Sequence, residues 1–184
     1  MRVVLIDNYD SFTYNLVYLL RDIGVEVAIF HNDCTLETLK KQTFQALIIS
    51  PGPSHPLQSG ICLNAIQYFA PHKKILGICL GHQCIAHVFG GEVTSMKTPQ
   101  HGKTAYISFK KHPLFKGIGQ PLQVASYHSL HVSKLGKCKA LAYSEDGVVM
   151  ALQANDYETY GLQFHPESIL QHSGKKLLQN FFKL

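Results

Sequence analysis

The first half of the chain alternates short apolar runs with segments of helical character. The apolar runs have the length of buried strands and lie at 2–7, 25–30, 46–50 and 74–79. Helices are predicted after each of them, near 12–23, 35–42, 59–70 and 81–89. Asp10 or Ser11 is expected to cap the first helix, and Gly24 to end it. Repeated strand–helix units predict a parallel sheet covered on both faces.

The pattern changes after Gly91. Strand-like segments now follow one another with few helices between them, at 92–96, 103–109, 122–132, 139–144 and 148–154. Asp146-Gly147 is typical of a hairpin turn, and residues 172–184 predict an amphipathic C-terminal helix. We therefore expect an α/β fold. Its central sheet would be mostly parallel, with helices on both faces and an antiparallel C-terminal part, in a single domain over residues 1–184.

Composition limits the classes of protein that fit. Of 184 residues, 46% are hydrophobic and 16% charged, which is typical of a globular domain. The net charge of +5 is modest and the basic residues are scattered, so we expect no nucleic-acid surface. No apolar stretch approaches the length of a membrane span, and Met1 leads directly into a strand-like run rather than a signal peptide. Five irregularly spaced cysteines argue against a disulfide framework and favour a reducing cytoplasm.

Cys79 stands where the fourth predicted strand should end and a helix should begin. Active sites of open parallel sheets lie at the carboxyl ends of strands. Gly77 and Gly81 flank the cysteine at minus two and plus two, which permits a sharp turn like the G-x-S-x-G nucleophile elbow. A helix N-terminus stabilises a thiolate, and the Leu80 N–H can receive a developing oxyanion. From this segment alone, a buried structural cysteine is an equal alternative.

His165 is the candidate base for a nucleophilic Cys79. It follows a predicted strand at 161–164, and Pro166 biases it toward an extended backbone. If the extended geometry continues, His165 and Glu167 project to the same side, where Glu167 can accept a hydrogen bond from one imidazole nitrogen. The alternative is that Glu167 only caps the C-terminal helix.

A metal site is a further possibility, because His82, Cys84 and His87 are close in sequence. On a helix, His82 and His87 point in directions about 140° apart. We therefore predict no metal site in this chain.

Together these residues resemble the class I (triad) glutamine amidotransferases. G-I-C-L-G-H-Q (77–83) and F-H-P-E (164–167) are close to family signatures, and the family's Cys–His–Glu triad carries over onto Cys79, His165 and Glu167. D-N-Y-D-S-F-T-Y-N-L (7–16), H-G-K-T (101–104) and Y-H-S-L (127–130) are similar to the glutaminase subunit, component II, of anthranilate synthase and of aminodeoxychorismate synthase. The resemblance covers essentially the whole chain and implies a flavodoxin-like class I glutamine amidotransferase fold.

The resemblance implies that the chain hydrolyses L-glutamine to glutamate and ammonia through a thioester on Cys79. Seven residues are implied to bind the substrate or its oxyanion: Gly52, Pro53, Ser54, Leu80, Gln83, Ser129 and Leu130. Pro53 has no N–H, so the second oxyanion donor would be the N–H of Gly52 or of Ser54. Many relatives have glycine in place of Ser54, which keeps its backbone N–H. Many also have methionine in place of Gln100, and this second difference leaves the choice of partner open.

A partner is also implied. A chain of this length leaves no room for an ammonia acceptor, so we expect a separate chorismate-using synthase subunit (component I) in tryptophan or folate biosynthesis. Mg²⁺ and chorismate would bind to that subunit, and no cofactor is expected in this chain. The candidates for the facing surface are Asn8, Tyr9, Asp10, Ser11, His101, Gly102 and Lys103. Their ordinary alternatives are a helix cap at Asp10 or Ser11 and a solvated side chain at Lys103.

Other functions use the same kind of elbow. A γ-glutamyl hydrolase or cysteine peptidase on a related fold is one alternative, and Gln83 with the segment 127–130 argues against it. A non-catalytic regulatory subunit is another, and the intact set of Cys79, His165 and Glu167 argues against that.

Overall fold

The computed structural model describes the backbone of residues 1–184 and all side chains except those of Gln100 and His101. The strands are β1 (Arg2–Asp7), β2 (Glu26–His31), β3 (Ala46–Ile49), β4 (Lys74–Ile78), β5 (Glu92–Phe109), β6 (Leu122–Lys134), β7 (Cys138–Ser144), β8 (Val149–Ala154) and β9 (Thr159–Leu162). The α-helices are α1 (Thr13–Asp22), α2 (Leu36–Lys40), α3 (Cys62–Phe69), α4 (Leu80–Val88) and α5 (Gly174–Phe181). Single turns of 3₁₀ helix lie at Pro56–Gln58 and Pro113–Phe115.

Across the described backbone, all nine strands form one mixed sheet in the order β2-β1-β3-β4-β9-β8-β7-β5-β6. The first five strands in this order are parallel, and the remaining four continue antiparallel. The last strand, β9, returns to the middle of the sheet and pairs with β4, with Ile78 opposite Leu162. This pairing brings the chain that follows β9 beside the chain that follows β4.

Two apolar layers cover the parallel part, one on each face. Successive residues of a strand point to opposite faces, and Val3 and Leu5 of β1 accordingly pack with α1 and α5. Val4 and Ile6 belong to the opposite layer, with α2, α3 and α4. Residues 3 to 6 are completely buried, which explains why β1 is a continuous apolar run rather than an alternating pattern. The predicted α/β sheet with helices on both faces is confirmed.

Three local details differ from the sequence-based prediction. Segments 92–96 and 103–109 belong to one long strand, β5, because both pair with β6. Helix α1 begins at Thr13 with Phe12 as the residue that precedes it, so neither Asp10 nor Ser11 occupies the cap position. The Asp10 carboxylate accepts a hydrogen bond from the Phe12 N–H at 2.8 Å, just before the helix.

No helix among the described residues is both long and apolar enough to span a bilayer. The described His, Cys, Asp and Glu side chains form no cluster of three suited to a metal ion. His82, one of the residues considered for such a site, is completely buried between the sheet and the body of α4.

Candidate active site

Cys79 occupies a strained turn between β4 and α4. Its backbone angles are φ 51° and ψ −98°, in the left-handed half of φ space that L residues rarely adopt. The glycines on either side make this turn possible. A Cβ on Gly77 would lie 2.3 Å from the carbonyl carbon and oxygen of Gly81, and a Cβ on Gly81 would lie 2.6 Å from the Ile49 carbonyl oxygen. The predicted elbow is therefore present in the structure.

His165 and Glu167 meet beside this turn. His165 Nδ1 lies 2.6 Å from Glu167 Oε1 and donates its proton to that carboxylate, with both side chains buried. The backbone route differs from the extended segment that we expected. His165 begins a turn, closed by the Ser168 N–H donating to the His165 carbonyl at 3.2 Å. Glu167 does not cap α5, which begins at Gly174.

Two opposing effects set the protonation of His165. Burial alone lowers the pKa of the imidazole, but hydrogen-bonding and charge interactions with the Cys79 sulfur and the Glu167 carboxylate together outweigh it and raise the pKa to about 10. Among the described residues, His165 Nε2 makes no hydrogen bond that meets normal geometric limits. The imidazole is thus held by Glu167 through Nδ1, and Nε2 is left for the thiol and for a substrate.

Two aromatic rings enclose the imidazole. The ring of Phe12 packs against His165 edge-to-face, with centroids 5.6 Å apart, and Tyr127 does the same at 5.1 Å. Phe12 and Tyr127 also contact each other at 5.1 Å. Because these rings occupy the space beside the imidazole, they restrict both its orientation and its access to water.

A cavity of about 140 Å³ opens at the Cys79 side chain. Its lining residues are Gly52, Pro53, Ser54, Cys79, Gln83, Tyr127, His128, Ser129 and Leu130. Six of the seven residues that we expected to contact glutamine thus surround one space next to the sulfur. The seventh, Leu80, has a buried side chain directed toward the core. As the first residue of α4, Leu80 has an N–H without an acceptor inside the helix.

The second oxyanion donor has two structural candidates on the cavity wall. Within the described part of the chain, the N–H groups of Gly52 and Ser54 donate to no backbone acceptor. Ser54 has φ 71°, so this serine adopts the conformation for which glycine is favoured. The Ser54 N–H is therefore present on the cavity wall in this glycine-like conformation.

Sequence reasoning missed two buried polar residues of the site, in addition to Tyr127. His128 is buried on the cavity wall, and burial lowers its pKa to about 4. It donates from Nδ1 to the Leu130 carbonyl at 2.9 Å. Gln163 is completely buried and donates from Nε2 to Cys79 Sγ at 3.6 Å. One signal for Gln163 was available, because it precedes His165 by two residues, the spacing of side chains on one side of an extended segment.

Comparison with known proteins agrees with this site. The family described as glutamine amidotransferase class-I matches residues 4–184. The chain belongs to this family.

The relatives of this amidotransferase include proteins named as component 2 of anthranilate synthase and of aminodeoxychorismate synthase. It is 44% identical to the aminodeoxychorismate/anthranilate synthase component 2 of Bacillus subtilis, over 98% of this chain and 95% of that protein. Over 100% of its own length, this chain is 40% identical to the bifunctional protein TrpGD of Thermotoga maritima, but it spans only 32% of that longer protein. Among solved structures, a candidate GMP synthase subunit of Thermoplasma acidophilum superimposes with a TM-score of 0.87 at 26% identity, covering 100% of this chain and 92% of that one.

The amidotransferase also shows which expected partner-facing residues are accessible. The inclusion of Asn8 among them was wrong. Its side chain is buried, donates to the Ser50 carbonyl at 3.0 Å and accepts from Asn32 at 2.9 Å. The other described candidates are Tyr9, Ser11, Gly102 and Lys103, which are exposed, and Asp10, which is half-buried. The side chain of His101 lies outside the described residues.

Proposed function

We propose that this amidotransferase hydrolyses L-glutamine and delivers the ammonia to a chorismate-using synthase, either anthranilate synthase or aminodeoxychorismate synthase. One observation carries the proposal. Cys79 lies at a strained elbow, where its sulfur interacts with His165, itself held by Glu167, and borders a cavity lined by Gln83 and residues 127–130.

Acylation begins with Cys79 as a thiolate and His165 as an imidazolium. The raised pKa of His165 supports this starting state. The sulfur attacks the side-chain amide carbon of glutamine, and the amide oxygen becomes an oxyanion bound by the Leu80 N–H and by an N–H at Gly52 or Ser54. His165 Nε2 gives its proton to the amide nitrogen, the C–N bond breaks, and ammonia leaves.

Deacylation uses the same groups in reverse order. The imidazole is now neutral and can take a proton from a water molecule, which attacks the thioester carbon. The second oxyanion collapses, the C–S bond breaks, and the Cys79 thiolate is regenerated as glutamate forms. Glu167 keeps the same imidazole nitrogen engaged throughout, so Nε2 faces the reaction in both steps.

The partner and its metal complete the proposal. The ammonia acceptor would be the other component of the synthase, a chorismate-using enzyme in tryptophan or folate biosynthesis, and Mg²⁺ and chorismate would bind there rather than on this chain. Exposed residues Tyr9, Ser11, Gly102 and Lys103, with Asp10, are the proposed contacts for that enzyme. Lys103 supplies the positive charge among them.

Reconstitution tests the proposal. The purified chain is combined separately with an anthranilate synthase component I and an aminodeoxychorismate synthase component I, and the aminated product is identified. We expect glutamine-dependent synthesis with at least one of them. Cys79→Ala should abolish glutamine-dependent synthesis and preserve synthesis from added ammonium.

Two results would refute the proposal. Unchanged glutamine-dependent synthesis by Cys79→Ala would indicate a regulatory subunit that only binds its partner. Faster turnover of γ-glutamyl peptides than of free glutamine would indicate a hydrolase or peptidase.

A further inference from the structure

Gln163 links the reactive sulfur to the wall of the glutamine cavity. Its side-chain nitrogen donates to Cys79 Sγ at 3.6 Å, and its oxygen accepts from Gln83 Nε2 at 3.1 Å. Gln83 Nε2 also donates to the main-chain carbonyl of Leu130 at 3.1 Å. The side chain of Gln163 is fully buried, and both ends of its amide are hydrogen-bonded.

The direction of these hydrogen bonds follows from the Leu130 main-chain carbonyl. A main-chain carbonyl can only accept, so the Gln83 group facing Leu130 must be its NH₂. That same NH₂ contacts Gln163 and therefore requires the oxygen of Gln163 as its acceptor. The NH₂ of Gln163 must then face the sulfur. The orientation of the amide next to Cys79 is thus determined by a backbone group that cannot reverse its role.

We propose that Gln163 is a catalytic residue that stabilises negative charge on the Cys79 sulfur by N–H donation. This inference rests on the proposed function above. The donor would act twice, first on the attacking thiolate and then on the thiolate that leaves when the thioester is hydrolysed. Gln83 holds the side-chain amide of Gln163 in this orientation. Because Gln83 also donates to the Leu130 carbonyl, the position of the donor is connected to the segment that lines the substrate cavity.

The other groups near the sulfur do not supply the same interaction. His165 gives its proton away during acylation, and Glu167 contacts His165 rather than Cys79. Cys84 and His128 are two titratable groups near the site; burial raises the pKa of the Cys84 thiol and lowers that of His128 to about 4. Both are therefore uncharged at neutral pH, and Gln163 is a neutral donor that remains in place throughout the cycle.

Two substitutions test the proposal in the reconstituted complex. Gln163→Glu keeps the size and the acceptor for Gln83 but replaces the donor to sulfur with an oxygen, and Gln163→Met removes both polar ends without adding charge. Loss of a hydrogen bond to a charged group should lower kcat for glutamine about 10- to 100-fold, with a smaller change in KM. Ammonium-dependent synthesis should be unchanged.

The rate of Cys79 alkylation gives a second measurement, which should not change if Gln163 has only a structural role. The measurement is the rate at which iodoacetamide alkylates Cys79 at pH 7, followed by peptide mass spectrometry. Loss of the donor should lower the fraction of Cys79 present as thiolate, but each remaining thiolate is more basic and therefore more nucleophilic. We expect the net rate to fall about threefold to tenfold. Gln153→Glu is the matched control. It lies on the neighbouring strand β8 and donates to the Tyr160 hydroxyl at 3.2 Å, so it should leave both rates unchanged.

The proposal is overturned if Gln163→Glu and Gln163→Met keep wild-type alkylation and kcat and lower only the denaturation midpoint. If one of the two variants does not fold, the test rests on the other, provided that it retains the wild-type circular dichroism spectrum. In the unmutated protein, the side-chain amide proton resonances of Gln163 should shift when Cys79 is alkylated, and unshifted resonances would also overturn the proposal. Failure of the proposed function is a separate result, namely retention of glutamine-dependent synthesis by Cys79→Ala.

Discussion

Glu167 Oε1 accepts a hydrogen bond from His165 Nδ1 at 2.6 Å, and solvent reaches almost no part of either side chain. The two residues are joined by a turn, so their separation is set locally, whereas their position beside Cys79 is set by the pairing of β4 with β9. This hydrogen bond fixes which imidazole nitrogen faces the sulfur.

Glu167→Gln tests the role of that hydrogen bond. The neutral amide preserves size but removes the charge that supports an imidazolium, so we expect kcat for glutamine to fall about 10²- to 10⁴-fold with little change in KM. Steady-state kinetics of the reconstituted complex provide the measurement. A kcat within threefold of wild type would show that His165 does not need the carboxylate.

Gly77→Ala tests the steric basis of the elbow. The added methyl group would lie 2.3 Å from the Gly81 carbonyl group. Overpacking of this kind typically costs about 1–3 kcal/mol, and displacement of the Cys79 turn should remove glutaminase activity. Gly119→Ala is the control, because a Cβ there has open space. Equal urea denaturation midpoints for the two variants would contradict the steric explanation.

Phe12→Ala tests the aromatic enclosure of His165. An aromatic pair contributes about 0.5–1.5 kcal/mol, so loosening the imidazole should lower kcat about twofold to tenfold while the chain remains folded. Tyr68→Ala is a suitable control, because this partly exposed ring contacts Phe69 and Lys40 on the other side of the sheet. If both variants lose kcat equally, the enclosure of His165 has no specific role.

The buried imidazole of His82 should make the stability of the folded chain sensitive to acid. Burial lowers the pKa of His82 to about 3, whereas the imidazole of an unfolded chain titrates near pH 6.5. Between these values the unfolded chain binds the extra proton, so this residue makes stability fall as pH falls from about 6.5 toward 3. His82→Leu should flatten that part of the profile, as measured by urea unfolding at a series of pH values. Parallel profiles for the two proteins would show that His82 does not remain neutral in the folded chain.

Local patterns predicted the parts of the molecule that depend on nearby residues. Apolar runs identified the buried strands, and Gly77 and Gly81 identified the elbow, because strand burial and turn sterics act over a few positions. The contact of Gln163 with Cys79 joins residues 84 positions apart. It follows from β9 lying next to β4, and the pattern of the chain does not specify that neighbour.

Burial of a polar side chain was the other feature that could not be predicted. The family resemblance placed Asn8 on the partner-facing surface, together with neighbours that are exposed. In the structure it is held inward by Ser50, Asn32 and Cys62. These partners come from three separate segments, and their convergence depends on the packing of the whole parallel half of the sheet.

The covalent state of Cys79 during turnover tests the proposed thioester chemistry most directly. The complex is quenched in acid while it consumes glutamine, and the peptides of this chain are examined by mass spectrometry. We predict a glutamyl group on Cys79 that hydroxylamine removes and that Cys79→Ala lacks. A glutamyl adduct on another residue, together with wild-type turnover by Cys79→Ala, would contradict a nucleophilic role for this cysteine.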